Sequence, residues 1–270
     1  MPGNGTLRVL FIGDVVGKPG RRALAAALPP LRAELQPDVV IANAENVAHG
    51  VGITRKTLDE CQAAGVDFFT AGNHVWAKPE AYEILADPAA PLIRPGNYPA
   101  ESPGSGSRVV DAGSYRLLVV NLNGQVFIGE SFSSPFQEIE RILERHRGDT
   151  IHGTMVDFHA EATSEKVAFG WYVDGRVSAV LGTHTHIPTA DETILPGGTA
   201  YQTDVGMVGL RDSVIGVDKS TIIKKFLGGQ GVSHEIPDHG VCVVNATLVT
   251  IDPLTHRAVA IARHRREVTV

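Results

Sequence analysis

Cysteine is scarce: the 270 residues hold two, Cys61 and Cys242. So distant a pair excludes a disulfide scaffold and a CxxC zinc site, and both read as small buried hydrophobes in a reducing compartment. Long apolar runs are missing too. None reaches about 18 residues, so no membrane-spanning helix is expected. The opening MPGNGTLRVLFIGDVVG lacks the basic flank and long apolar stretch of a signal peptide, and it carries Asp14. The expected location is the cytoplasm, with no membrane partner. Nor is there a basic excess. Lys and Arg number 24 against 30 Asp and Glu, a net of −6, which gives no support to a broad nucleic-acid-binding face. Apolar residues at 43% and charged residues at 20% exclude a disordered chain. Repeats, low-complexity tracts and linkers are absent as well. One α/β domain over residues 1–270 is therefore expected, with room for a small insertion around 94–135.

What is there alternates. Leu7 to Ile12 is a nearly continuous apolar run and reads as a doubly buried strand. Helical spacing follows from Gly20 to Leu35, where Pro29-Pro30 predict a kink or split. Asp38 to Ala44 is the next strand. Thr54 to Ala64 is a helix with Thr54 as N-cap, and Phe68 to Ala71 is a third strand. This β-α-β-α-β order implies parallel strands with right-handed crossovers. Arg94 to Arg108, rich in Pro, Gly and Ser, reads as an irregular loop. Strands at Tyr115–Leu122, Thr154–Phe158 and Ser178–Leu181 alternate with helices at Pro135–Arg147 and Ser164–Tyr172. A short helix is expected over Ser220–Leu227. Val241–Ile251 and Ala258–Ala262 suit an antiparallel hairpin.

The informative feature is what ends the strands. One after another they finish in Asp14, in Glu45-Asn46, in Asn73-His74, in His159, and in His184 and His186. A single Asp or Asn after a strand is usually a turn residue or a cap. Five such endings in succession are different, because sites in open α/β sheets form outside the carboxyl ends of strands. Two carboxylates, two amides and four imidazoles, without sulfur, suit Mn, Fe or Zn better than Ca or Cu(I). Alternation along a strand end can turn the rings of His184 and His186 to opposite sides, toward two different metals. Two other phosphate motifs fail. Gly13 to Pro19 has too few residues between its glycines for a P-loop and ends in Pro19, and no GxGxxG follows the first strand.

These residues resemble the calcineurin-like metallophosphoesterase signature: Asp14, Glu45-Asn46, Gly72-Asn73-His74, His159 and Gly182-Thr183-His184-Thr185-His186. The histidine that usually follows the first Asp is missing, Glu45 replaces the bridging Asp, and the last motif reads GTHTH. All three departures are similar to the YmdB-like branch of bacterial phosphodiesterases, as are LFIGDVVGKPGR, NAENVAHG, TAGNHVW, DFHAEATSEK, VLGTHTHIPTAD and GVDKSTIIKKF. The resemblance implies a four-layer α/β/β/α sandwich of two mixed sheets. It implies two divalent or trivalent metal ions, Fe or Mn first and Zn as an alternative. Asp14, Glu45, Asn46 and His186 would hold one; Glu45, Asn73, His159 and His184 would hold the other, with Glu45 bridging. A shared hydroxide would open a 2′,3′-cyclic nucleotide, and His74 would protonate the leaving group. Implied partners are a small nucleotide phosphodiester and RNA ends. The alternatives are a phosphomonoesterase or nucleotidase on the same site, or a regulatory RNA- or nucleotide-binding protein. The apolar C-terminal strands and the Pro/Gly loop could serve a homo-oligomer. His49 lines the site or lies on a loop surface, Thr163 to Lys166 reads as a helix start, and His146, His152, His234, His239, His256 and His264 read as surface residues.

Overall fold

Alternate residues of each buried strand feed different cores, and that alternation sets the layering. A computed structural model of the chain describes residues 5–129, 132–229 and 235–270. The chain begins β1 (Leu7–Ile12), β2 (Asp14–Val15), α1 (Gly17–Leu35), β3 (Val39–Asn43), α2 (Arg55–Ala63), β4 (Phe68–Thr70) and α3 (Glu80–Ala86). It continues with β5 (Ser107–Ala112), β6 (Tyr115–Asn123), α4 (Pro135–Arg145), β7 (Gly153–His159), α5 (Thr163–Val173) and β8 (Ala179–Thr183). It ends with β9 (Thr193–Ile194), β10 (Ala200–Gln202), β11 (Met207–Leu210), α6 (Lys219–Phe226), β12 (Val241–Ile251) and β13 (Ala258–Thr269).

Two mixed sheets result. The first runs β2-β11-β12-β1-β3-β4, with β13 paired to β12; the second runs β5-β6-β7-β8-β10-β9. Within them β1-β3-β4 and β6-β7-β8-β10 are parallel. Leu7, Val9 and Phe11 of β1 pack with Leu117 and Val119 of β6 and with Met155 of β7 in the core between the sheets. Leu10 and Ile12 point the other way, onto Leu24, Leu28 and Leu31 of α1. Leu118, Val120 and Phe158 likewise turn outward, onto Ile139 of α4 and Phe169 of α5. Helix, sheet, sheet, helix is thus the direct consequence of period-two side-chain alternation in strands buried on both faces.

Several expectations need correction. Helix α1 starts at Gly17 and runs through Pro29 and Pro30 as one element. Both prolines are exposed, and so are Ala25 and Ala26, whose carbonyls lose their helical donors; water can satisfy them on that face. The segment around 94–135 is no separate insertion, since β5 and β6 form the edge of the second sheet. The irregular loop stops at Ser107, where β5 begins. The second strand of the C-terminal hairpin extends to Thr269 because its alternating exposure continues. Helix α3 and the short strands β9 to β11 carried too little periodicity to read. Cys61 and Cys242 are buried and unpaired. Burial pushes their thiols up to about 12 and about 11, so neither forms a thiolate at neutral pH. Among the described residues, no helix is long and apolar enough to cross a membrane.

Candidate metal centre

The strand endings do converge, but at the joint carboxyl end of two sheets instead of one. Asp14, Glu45 and Asn73 follow β1, β3 and β4 of the first sheet; His159 and His184 end β7 and β8 of the second. Because β1, β3 and β4 run parallel, as do β6, β7 and β8, these strands deliver their last residues to one edge of each sheet.

One group is tight. His159 Nε2 lies 3.2 Å from Glu45 Oε2, 3.1 Å from Asn73 Oδ1 and 3.0 Å from His184 Nδ1. Ligand atoms of Glu45, His159 and His184 all lie within 4.8 Å of one another. A second group is looser. Asn46 Nδ2 is 3.1 Å from Glu45 Oε1 and 3.2 Å from His186 Nε2, and Asp14 Oδ1 is 3.9 Å from His186 Nε2. Glu45 therefore offers one oxygen to each group. Asn46 turns its amide nitrogen to this group and its oxygen to His74 Nδ1, at 3.1 Å; carboxamides bind cations through oxygen, so ligation by Asn46 requires the amide to flip. Fully buried Asp14 Oδ1 has no hydrogen-bond partner.

Each imidazole is fixed by what its other nitrogen does. Thr183 Oγ1 donates to Asp157 Oδ1 at 2.6 Å, so it accepts from His159 Nδ1 at 2.8 Å. That leaves the Nε2 lone pair of neutral His159 facing the cluster. His186 Nδ1 donates to Ile215 O at 2.8 Å, again freeing Nε2. His184 is reversed: Nδ1 faces the cluster, and Nε2 lies 3.1 Å from Glu161 Oε2. Outer partners of this type hold metal-binding imidazoles in one tautomer. The two rings of the GTHTH motif thus serve different groups. They do so at φ 100 for His184 and φ 68 for His186, a left-handed turn that non-glycine residues adopt only when held.

What holds that turn went unread in the sequence. Lys166 Nζ, buried, lies 2.7 Å from Asp204 Oδ2 and donates to Thr183 O at 2.8 Å. The same Asp204 oxygen accepts the backbone N–H of Thr185 at 3.2 Å and its hydroxyl at 2.9 Å. Thr163 to Lys166 does start a helix, as expected, yet Lys166 shares its buried face with Phe169, Gly170 and Val173. A lysine on an apolar helical stripe was the available signal.

Electrostatics favour a cation. Burial opposes the charge of Glu45, but His159 and His74 outweigh it and hold the carboxyl well below its usual range. Burial, helped by the charges of Glu45 and Asp204, raises Asp14 against the pull of His186 and His159. His159, despite its burial, is pulled up to about 9 by Glu45. Burial, then the charge of His159, drives His184 down to about 3. The carboxylates that raise His159 would equally favour a cation, which binds the neutral ring at Nε2. His49 is exposed and borders the cleft beside Glu45 and His74, so both expectations for it hold. His239 and His256 are exposed, His146, His152 and His264 are half-buried, and His234 lies outside the described residues.

Gly72 makes the tight group possible. A methyl group there would overlap both Glu45 Oε2 and His159 Nε2. Gly72→Ala should leave the secondary structure intact by circular dichroism while lowering metal affinity by at least about tenfold in a titration with Mn.

Two mixed sheets between helices, with oxygen and imidazole donors gathered at their common end, define a metallophosphoesterase-type fold. The chain belongs to the YmdB-like family, whose model matches residues 10–264. It is 44% identical over 257 residues to the 2′,3′-cyclic-nucleotide 2′-phosphodiesterase of Bacillus subtilis, covering 95% of this chain and 96% of that one. Two solved structures superpose on it with a TM-score of 0.89: a hypothetical protein of Thermus thermophilus (42% identity, 97% of this chain and 99% of that one) and a novel phosphatase of Mycoplasma pneumoniae (34%, 97% and 94%).

Proposed function

We propose that the protein is a dinuclear metal-dependent phosphodiesterase that opens 2′,3′-cyclic nucleotides, with residues 1–270 acting as one domain. Asp14, Glu45, Asn46 and His186 would hold one cation, and Glu45, Asn73, His159 and His184 the other. The observation that carries this reading is the buried Glu45, with one oxygen turned to each donor group. The unpartnered Asp14 Oδ1 agrees with it: a buried carboxylate oxygen without a donor is costly unless a cation completes it. Bound there, divalent cations supply Lewis-acid polarisation of the phosphate and acidify water toward neutrality. The donor set suits Fe and Mn, with Zn as the alternative. Resemblance to the Bacillus subtilis relative supports the substrate class.

In the reaction, water adds to phosphorus, the bond from phosphorus to one ribose oxygen breaks, and that oxygen takes a proton. His74 would give that proton. Its backbone N–H donates to Glu45 Oε2 at 3.0 Å, and Nδ1 lies 3.4 Å from Glu45 Oε1. As imidazolium it presents Nε2–H to the departing oxygen. The buried cysteines accord with a reducing cytoplasm. RNA ends carrying a cyclic phosphate offer the same bond.

The test is a substrate panel on protein of measured metal content: 2′,3′-cyclic AMP, 3′-AMP and a chromogenic phosphodiester. Opening of the cyclic diester with the monoester untouched is the expected result. Release of phosphate from 3′-AMP would favour a nucleotidase, and no turnover of any would sink the enzymatic reading. His74→Ala should keep its metal and lose on the order of 10²–10⁴-fold in kcat; loss of metal in that variant would remove the acid role.

A further inference from the structure

We propose that the cleft beside the cluster is a nucleoside subsite, in which an aliphatic wall of Val51, Ile215, Val217 and Ile236 receives the base and ribose of the ligand whose phosphate meets the metal ligands. This rests on the phosphodiesterase reading for the phosphate end only. The cleft has a volume of about 340 Å³, and its lining includes Glu45, His74, His184 and His186 together with these four aliphatic residues. That is the small end of the ligand-pocket range of about 300–1,000 Å³, enough for one nucleoside and too little for several.

The wall is built from three separate segments. Val51 is 41% exposed and Ile215 46% exposed, so both present apolar surface to solvent inside a concavity. Such surface gains free energy when an apolar ligand face covers it. Ile215 stands at φ 48, an outlier for a β-branched side chain. Paired backbone bonds between Val214 and Val217, at 2.9 and 3.0 Å, close the turn that holds it there. Its carbonyl is the acceptor for His186 Nδ1, so one strained turn both orients an imidazole of the cluster and aims an aliphatic group into the adjoining cleft. Ile236 rests on Gly50, at φ 85, where any side chain would overlap its Cδ1. The four wall residues carry no aromatic ring and no side-chain hydrogen-bond donor. They can recognise the flat apolar face of a base and cannot read its edge. Of the polar residues that also line the cleft, Thr185 is held by Asp204 and Glu161 faces His184, so His49 is the side chain left to reach a base edge. The subsite should therefore distinguish a nucleoside from its absence, and discriminate among bases only weakly, through His49.

Binding of reaction-product analogues tests this without turnover. Dissociation constants for 3′-AMP, 3′-UMP and inorganic phosphate are measured by calorimetry on Mn-loaded wild type, Val51→Trp and Val217→Ala. In wild type both nucleotides should bind about tenfold tighter than phosphate and within about threefold of each other. Val51→Trp, at an exposed position that tolerates size, should fill the cleft and bring the ratio of nucleotide to phosphate affinity close to one. Val217→Ala should lower that ratio by about threefold. Equal affinity for nucleotide and phosphate in wild type, or an unchanged ratio in Val51→Trp, overturns the subsite. The two readings fail separately. Wild type that binds nucleotides with this margin but opens no cyclic nucleotide keeps the subsite and loses the catalytic reading. Turnover with an unaltered KM in Val51→Trp does the reverse.

Discussion

Glu45→Gln should abolish metal binding at one site at least and reduce turnover on the order of 10³-fold or more. Glutamine matches glutamate in shape, so packing around this buried residue survives. The backbone N–H of His74, which Glu45 Oε2 accepts at 3.0 Å, can still find the amide oxygen. What changes is that one of two oxygens becomes an NH2 group, which cannot bind a cation, and the negative charge disappears. A residue with one oxygen toward each donor group cannot lose either without affecting both. The metal-free protein gives the contrast. There Glu45 is a buried carboxylate paired with His159 and His74, and removing one partner of a buried pair is destabilising, less so where the other can shed its proton as His159 can. Thermal unfolding without metal should therefore come earlier than in wild type. Addition of Mn should raise the melting temperature of wild type, by the equivalent of about 2.7 kcal/mol at a hundredfold excess over Kd, and leave Glu45→Gln nearly unmoved. A Mn-dependent rise in Glu45→Gln equal to that of wild type would remove the bridging role.

Lys166→Met should be the most damaging change outside the metal ligands. It keeps the stem and removes the charge, leaving Asp204 a buried carboxylate without its cation and Thr183 O without a donor. Breaking a buried pair from one side costs about 3–5 kcal/mol, or roughly 10 °C in melting temperature for a chain of this length. The functional loss should exceed the loss of stability. Asp204 also holds the N–H and hydroxyl of Thr185, between two histidines in left-handed conformation. Released, that turn relaxes and withdraws the ring nitrogens of His184 and His186. The double variant Lys166→Met/Asp204→Leu separates the effects. Stability should return in part, because no unpaired charge remains, while turnover stays low because nothing anchors Thr185. Recovery of both would show that the pair serves folding alone.

The eight strand-end residues were legible because apolar runs mark where strands stop. A polar side chain at such a stop is visible within a few residues of sequence. Asn46 shows the limit: its position was readable, and its turn toward His74 was not. Lys166 and Asp204 show another. They are separated by 38 residues, and nothing local in Asp204 announces a partner. Pro29 and Pro30 mark a third, since the cost of an interior proline depends on whether the carbonyls it deprives face solvent, and here they do.

Two levels of specification are thus separable. Composition, period-two alternation and strand endings are short-range properties, and the sequence by itself determined from them an α/β chain with a metal-suited donor set. Tertiary structure alone decided that two sheets share one carboxyl edge, which oxygen of Glu45 meets which donor group, and which nitrogen of each imidazole faces the cluster. It also decided that an aliphatic wall from three segments stands beside that cluster. These are matters of distance and direction between residues far apart in the chain. No local pattern encodes them, because they exist only once the sheets have packed.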